Sequence, residues 1–221
     1  MKARSPLTQA RVVDAAVRVA DAGGLAAVSM RNVGKELGVE AMSLYHHIAN
    51  KDDLLDRLAD WIFTRITLPG LDQCWREAMV ERAISARTVL SRHPWALGLI
   101  ESRRNPGAAN LRHHDAVLGC LRRNGFSVVL ASHTYSALDA YVYGFVLTEL
   151  NLPFKPTESA DDFIDELALP ADQYPHLAEM IGELVMGKDY SYGDEFGYGL
   201  ALILDSVAER LSDHRMTGHH R

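Results

Sequence analysis

Cysteine is scarce in this 221-residue chain: Cys74 and Cys120 are the two, and neither sits in a CxxC. Two thiols cannot build a disulfide framework, so a reduced, cytoplasmic protein is expected. No uninterrupted apolar run reaches the roughly 18 residues a membrane span needs. The opening MKARSPLTQARVVDAA lacks the apolar core and cleavage site of a secretory signal. Alternating β-branched and polar runs are missing, as is any Asn-Gly or Asp-Gly between two such runs, which excludes hairpins. There is no HExxH, no GxSxG and no glycine-rich phosphate loop, and no repeat or low-complexity tract. The ten histidines are scattered, and His46 and His47, being adjacent, lack the spacing of three or four that helical zinc ligands use. No metal or other cofactor is expected.

What is present is ordinary globular composition, 48% apolar and 24% charged, which excludes a disordered chain. The net charge of −6 hides an asymmetry. Residues 1–51 carry seven Lys/Arg (Lys2, Arg4, Arg11, Arg18, Arg31, Lys35, Lys51) against four acids, a net of +3, and the other 170 residues carry −9. Such a split points to nucleic acid at one end only.

The chain reads as all-α. Segment 8–22 has Val12, Ala16 and Val19 at helical spacing and stops at Gly23-Gly24. Ser29 is a good N-cap for 29–36, and a short helix is expected over 41–47. Asn50 caps the next, with Asp52 and Asp53 in its first turn and Leu54, Leu55, Leu58, Ile62 and Ile66 apolar, up to Pro69-Gly70. Further helices are expected over 72–91, 94–101, 107–123, 127–151, 175–186 and 193–212. Segment 152–174, with Pro153, Pro156 and Pro170, reads as an exposed loop, and Asp161, Asp162, Asp165 and Glu166 in it as solvation.

One constellation carries chemistry: SMRNVGKELGVEAMSLYHHI at 29–48. A two-turn helix ends at Leu37, and Gly38 supplies the left-handed turn. Val33, Leu37, Val39 and Leu44 can form one small core. A short helix with Ser43, Tyr45, His46 and His47 follows, which is the layout of a helix-turn-helix. Lys51 opens the next helix, whose N-terminus favours a phosphate.

Residues 8–55 resemble the DNA-binding domain of TetR-type transcriptional regulators. The motif that carries the resemblance is SLYHHIANKDDLL at 43–55, preceded by ELGV at 36–39. NGFSVVLASHTYSALDAYVYGFVLTEL at 124–150 and FGYGLALIL at 196–204 are similar to C-terminal helices of the tetracycline-repressor subgroup. The resemblance implies an N-terminal helix-turn-helix domain over 1–50 and a connecting helix over 51–70. An effector-binding and dimerisation bundle over 71–213 and a disordered tail over 214–221 complete the expected division.

The resemblance also implies roles. Arg31 reaches a guanine edge, Ser43 a base edge or phosphate, and Tyr45 and Lys51 hold phosphates. His46 and His47 face the groove or its wall, His46 replacing an aromatic residue common there. Met42 touches a thymine methyl. Lys2, Arg4 and Arg11 add backbone contacts. A helix-turn-helix reads half a palindrome, so a homodimer is expected. Its surface is expected from Ala131, Tyr135, Leu138, Val142, Phe145 and Val146, from Leu200, Ile203, Val207 and Leu211, and from the small residues Gly193, Gly197 and Ala201.

The C-terminal domain of the family encloses an effector. The expected lining is Trp61, Arg82, Trp95, Leu99, Ile100, Arg104, His114, Val117, Tyr135 and Asp139, suited to a small, partly hydrophobic ligand. The tetracycline repressor holds a magnesium–drug chelate through two histidines and a glutamate, and Thr67, Ile100 and Thr148 stand at the matching positions here. Isoleucine cannot ligate a metal, so no metal–tetracycline binding is expected. Arg104 does match a residue near the drug. The reading is of a ligand-responsive DNA-binding repressor rather than an enzyme. The residues leave open an interaction protein with a vestigial helix-turn-helix and, with thinner support, an enzyme.

Overall fold

In the computed structural model, residues 6–153, 164, 167–188 and 190–218 are described. No strand occurs among them. Lys2, Arg4, the acidic residues 161, 162, 165 and 166, and most of the loop expected over 152–174 lie outside the described residues.

The first helix, α1 (Gln9–Ala27), is capped by the Thr8 hydroxyl, which accepts from the Arg11 N–H. Gly23-Gly24, expected as its end, is a kink instead: Gly24 has φ 69°, and one more turn follows it. Helix α2 (Met30–Leu37) starts as expected at Ser29, whose Oγ accepts from Asn32 N at 3.2 Å. It ends on Gly38 in the left-handed region, φ 65° and ψ 37°. The next helix, α3, is only Ala41–Leu44. The expected extension to residue 47 is a tight turn, with the His47 and Ile48 N–H groups both donating to the Leu44 carbonyl at 2.9 Å. This turn swings the chain into α4 (Lys51–Phe63), whose start is fixed by two side-chain caps, Asn50 on the Asp53 N–H and Asp53 on the Ala49 N–H. Asn50 Oδ1 accepts from Asp53 N at 2.9 Å and Asp53 Oδ2 from Ala49 N at 2.8 Å. Helix α4 ends at Phe63, where the Thr64 and Arg65 N–H groups tighten onto the Trp61 and Ile62 carbonyls at 3.1 and 2.9 Å and the Thr64 hydroxyl donates to the Trp61 carbonyl at 2.6 Å. Ile66 is buried all the same.

Among the described residues, the rest forms a bundle of α5 (Trp75–Arg92), α6 (Trp95–Ser102), α7 (Ala108–Arg123), α8 (Val128–Leu150), α9 (Pro175–Met180) and α10 (Glu195–Gly218). A single wide turn follows α9, closed by Met186 N donating to the Ile181 carbonyl. Helix α10 covers residues 214–218, where a tail was expected. No proline or glycine interrupts it between Leu200 and Gly218. Helix α8 packs against α5, α7 and α10 of its own chain. The apolar stripe Ala131, Leu138, Val142, Phe145 and Val146, expected at a subunit interface, is consequently buried within the protomer, as are Leu200, Val207 and Leu211. Of the small residues expected there, Gly197 lies exposed on α10 with nothing within 4 Å of where a Cβ would stand, Ala201 is half-buried, and only Gly193 departs. Gly193 lies in a turn before α10, where a Cβ would come within 2.7 Å of the Arg87 guanidinium. That guanidinium pairs with Glu149 and lies over Phe145 and Phe196. Exposed apolar surface on α8 and α10 falls instead at Val128, Val129, Leu147, Tyr198 and Leu202.

The α2–α3 crossing is close enough that a Cβ on Gly34 would stand 2.9 Å from the Val39 carbonyl oxygen and 3.2 Å from Ala41 N. Backbone cannot yield cheaply, so Gly34→Val is expected to cost about 1–3 kcal/mol in urea unfolding. Gly98→Ala, with nothing within 4 Å on α6, is expected to be neutral or stabilising by up to about 1 kcal/mol.

Candidate DNA interface and effector site

A helix of four residues has no stability of its own in water. Leu44 and Ile48 hold α3 in place, both buried with Val33, Val12, Ala16, Leu54 and Leu58 in the core shared by α1, α2 and α4. With its apolar residues turned inward, the head leaves polar and long side chains outside. Arg31 on the first turn of α2, His46 and Lys51 are exposed, Met42 is 73% exposed and Tyr45 47%. Ser43 and His47 are half-buried. Neither Arg31 nor Lys51 has an ion pair among the described residues, whereas Arg18 pairs with Glu36 at 2.7 Å. Arg11, expected to help hold the DNA backbone, donates to the Pro6 carbonyl at 2.7 Å.

The expected effector residues divide into two groups. Trp61 and Trp95 belong to the junction between the head and the bundle. Asp14 on α1 accepts from the Trp61 indole N–H at 3.2 Å. Asp21 accepts from the Trp95 indole N–H at 2.7 Å and also lies 2.7 Å from His93 Nδ1. His93 meets both indoles, edge-on at 5.2 Å from Trp61 and tilted at 5.8 Å from Trp95. Helix α4 is tied in the same way. Its Asp56 accepts from Arg103 Nε at 2.5 Å, and the hydrogen bond holds the Arg103 guanidinium more firmly protonated than usual. Its Asp60 caps α7 by accepting from Ala109 N at 2.8 Å and Asn110 N at 2.9 Å. Sequence reasoning missed these carboxylates because acids on helices read as surface.

The second group is a polar cluster inside the bundle. Arg82, 2% exposed, pairs through Nη2 with Asp139 and donates from Nε to His113 Nε2 at 3.3 Å. Its guanidinium also lies 5.3 Å from the Tyr135 ring centroid. His114 stacks on Tyr135 at 3.9 Å, with 17° between the planes. Phe63 packs against the His113 ring at 5.5 Å. Burial holds the Tyr135 and Tyr143 hydroxyls well above the usual phenol range, with Asp139 adding to it. Leu99 and Val117 are buried, Ile100 is half-buried and Arg104 is exposed. His113, absent from the expected set, is fully buried where its neighbour His114 is exposed. Its signal was legible: 109, 113, 117, 120 and 121 share the buried face of α7. Of the positions matching the drug-chelating residues, Thr67 and Thr148 are exposed and the Thr148 hydroxyl donates to Gly144 O at 3.0 Å. Among the described residues no group of His, Cys, Asp and Glu could hold a metal ion, and no helix is long and apolar enough to cross a membrane.

A short exposed helix presented by a two-helix turn, carried on a separate helical bundle, defines a helix-turn-helix DNA-binding regulator. Residues 12–58 match the family of bacterial regulatory proteins of the TetR type, and residues 68–211 match the tetracycline repressor-like C-terminal domain. The chain belongs to the TetR family of transcriptional regulators. It is 32% identical to the HTH-type transcriptional repressor DrrR1 of Streptomyces coeruleorubidus, over 95% of this chain and 80% of that one. It is 28% identical to the class A tetracycline repressor of Escherichia coli, over 90% of this chain and 89% of that one. Among solved structures, ActR of Streptomyces coelicolor in complex with actinorhodin superposes with a TM-score of 0.74. The identity is 28%, covering 94% of this chain and 99% of that one.

Burial depresses the His113 pKa from 6.5 to about 3, with the Arg82 and His114 charges adding to the shift. The unfolded chain binds a proton below pH 6.5 that the folded one refuses, so this stability contribution is complete above pH 6.5 and is lost as pH falls toward 3. Urea unfolding between pH 6.5 and 4 is expected to show a wild-type slope steeper than that of His113→Phe by up to about 1.4 kcal/mol per pH unit.

Proposed function

We propose that the protein is a homodimeric repressor that binds a palindromic operator and is released by a small, partly hydrophobic effector other than a magnesium–tetracycline chelate. The observation that carries the reading is a four-residue helix held by a buried core, with Arg31, Met42, Tyr45, His46 and Lys51 left exposed around it. Arg31 reads a base, Tyr45 and Lys51 fix register on phosphates, and Met42, Ser43, His46 and His47 complete the contact. Residues 1–50 act as the reading head, 51–70 as the connection and 71–213 as the effector and dimerisation unit. The exposed apolar residues of α8 and α10 support dimerisation between those helices. The ActR complex with actinorhodin supports a small-molecule effector. Thr67, Ile100 and Thr148, lacking imidazole and carboxylate, weigh against a metal–drug chelate. The junction carboxylates of α1 and α4 give the effector a route to the head. The effector must bind the released state more tightly than the DNA-bound one, and DNA must weaken effector binding by the same factor.

The test is selection of bound duplexes from a random pool, using protein cleared of co-purified small molecules. A palindrome is expected. Against the selected duplex, Arg31→Ala is expected to cost about 1–3 kcal/mol and relax preference at one base pair per half-site. Lys51→Ala is expected to weaken all sequences alike and reduce the salt slope. No enrichment, or unchanged binding by both variants, overturns the reading.

A further inference from the structure

Two of the most deeply buried donors in the bundle are idle. Arg82 Nη1 and His113 Nδ1 are inaccessible to solvent and have no hydrogen-bond partner among the described residues. The protonation state of the histidine follows from its neighbour. A guanidinium N–H can only donate, so His113 Nε2, which receives Arg82 Nε at 3.3 Å, is the acceptor nitrogen and the ring proton sits on Nδ1. The strongly lowered pKa, about 3, agrees with a neutral ring. Both idle atoms therefore offer hydrogens, and what satisfies them must accept. The charge of the cluster restricts the acceptor further. Asp139 already neutralises Arg82, so an incoming carboxylate would leave a net negative charge in a buried site. Such a charge costs far more to desolvate than a carbonyl dipole does. Aromatic rings pack around the cluster: Phe63 against the His113 ring, Tyr135 beside the Arg82 guanidinium, and His114 stacked on Tyr135.

We propose that the effector is recognised through a neutral carbonyl-type oxygen that accepts from the buried Arg82 and His113 donors, in a flat aromatic ketone or a ligand of that class. The inference rests on the effector-responsive reading above and gives the ligand class for that site.

The test uses three matched probes on the full chain: 9-fluorenone, fluorene, which lacks the oxygen, and fluorene-9-carboxylate, which is charged. Calorimetry is expected to show 9-fluorenone binding at least about 10-fold more tightly than either of the others. In ring-¹⁵N-labelled protein the Nδ1 signal of His113 is expected to move with the ketone. His113→Phe is expected to erase the preference, and His113→Asn, which keeps a donor at the Nδ1 position, to restore part of it. Should His113→Phe fail to fold, the double change Arg82→Met and Asp139→Leu removes the donor and its counter-charge together, and the same loss of preference is expected. Equal affinities, a tighter carboxylate, a preference surviving in the variants, or no binding by any probe overturns the inference. Operator binding by the same wild-type sample is measured alongside. If it persists, the regulator reading stands while the ligand class falls; if it is absent, the regulator reading is the one that fails.

Discussion

The reading head depends on burying Leu44. A single helical turn is far below the length at which backbone hydrogen bonds offset the entropy of ordering a chain. Ala41–Leu44 is therefore helical only because Leu44, with Ile48 one turn on, fills a core made by α1, α2 and α4. Each feature around it serves that burial. Gly34 lets the backbones of α2 and α3 meet, Gly38 turns the chain left-handed between them, and the Asn50–Asp53 cap starts α4 at the point where the turn delivers it. The exposed residues of α2 and α3 project from an element that cannot move without the rest of the head.

Carboxylates add directed hydrogen bonds to the apolar core that the head and the bundle share. Asp21 on α1, and Asp56 and Asp60 on α4, accept from Trp95 on α6, from Arg103 before α7 and from the first turn of α7, while Asp14 on α1 accepts from Trp61 on α4 within the head. A hydrogen bond to a carboxylate has a fixed direction and a short range, unlike apolar packing, which tolerates sliding.

The bundle carries the opposite arrangement, a cation in the interior. Arg82 is tolerated there because Asp139 balances its charge and His113 receives its Nε–H. The same partners leave one guanidinium nitrogen and one imidazole N–H unused. A core built for stability alone would carry apolar residues in their place, since replacing buried ion pairs with well-packed hydrophobic residues is often neutral or stabilising. The retained polar cluster, packed beside aromatic rings, is the feature on which the proposed effector site rests.

Local chemistry was legible in the residues themselves. Ser29, Gly38 and Asn50 mark helix ends because a hydroxyl, a missing Cβ and a short amide act within three residues of their own position. The helix-turn-helix, its exposed Arg31 and Lys51, and the all-α class followed from such signals and from periodicity. Contacts between distant residues were not legible. Trp61 and Trp95 read as pocket lining, since large aromatics on core helices do, but the crossing of α1 with α4 and α6 sets them against Asp14 and Asp21. The apolar stripe of α8 read as a subunit interface, yet α5, α7 and α10 cover it within the chain. His113 and His114 differ by one residue, and helical phase alone assigns the first to the interior. That Arg82, 31 positions away, would be its partner was decided by how α5 packs beside α7. The sequence by itself determined where helices begin, which face of each is apolar and which residues the head exposes, because those depend on interactions within a turn or two. Tertiary structure alone decided which acids became clasps and which polar groups were left idle in the core, because a hydrogen bond between distant residues exists only once packing has brought its donor and acceptor within reach.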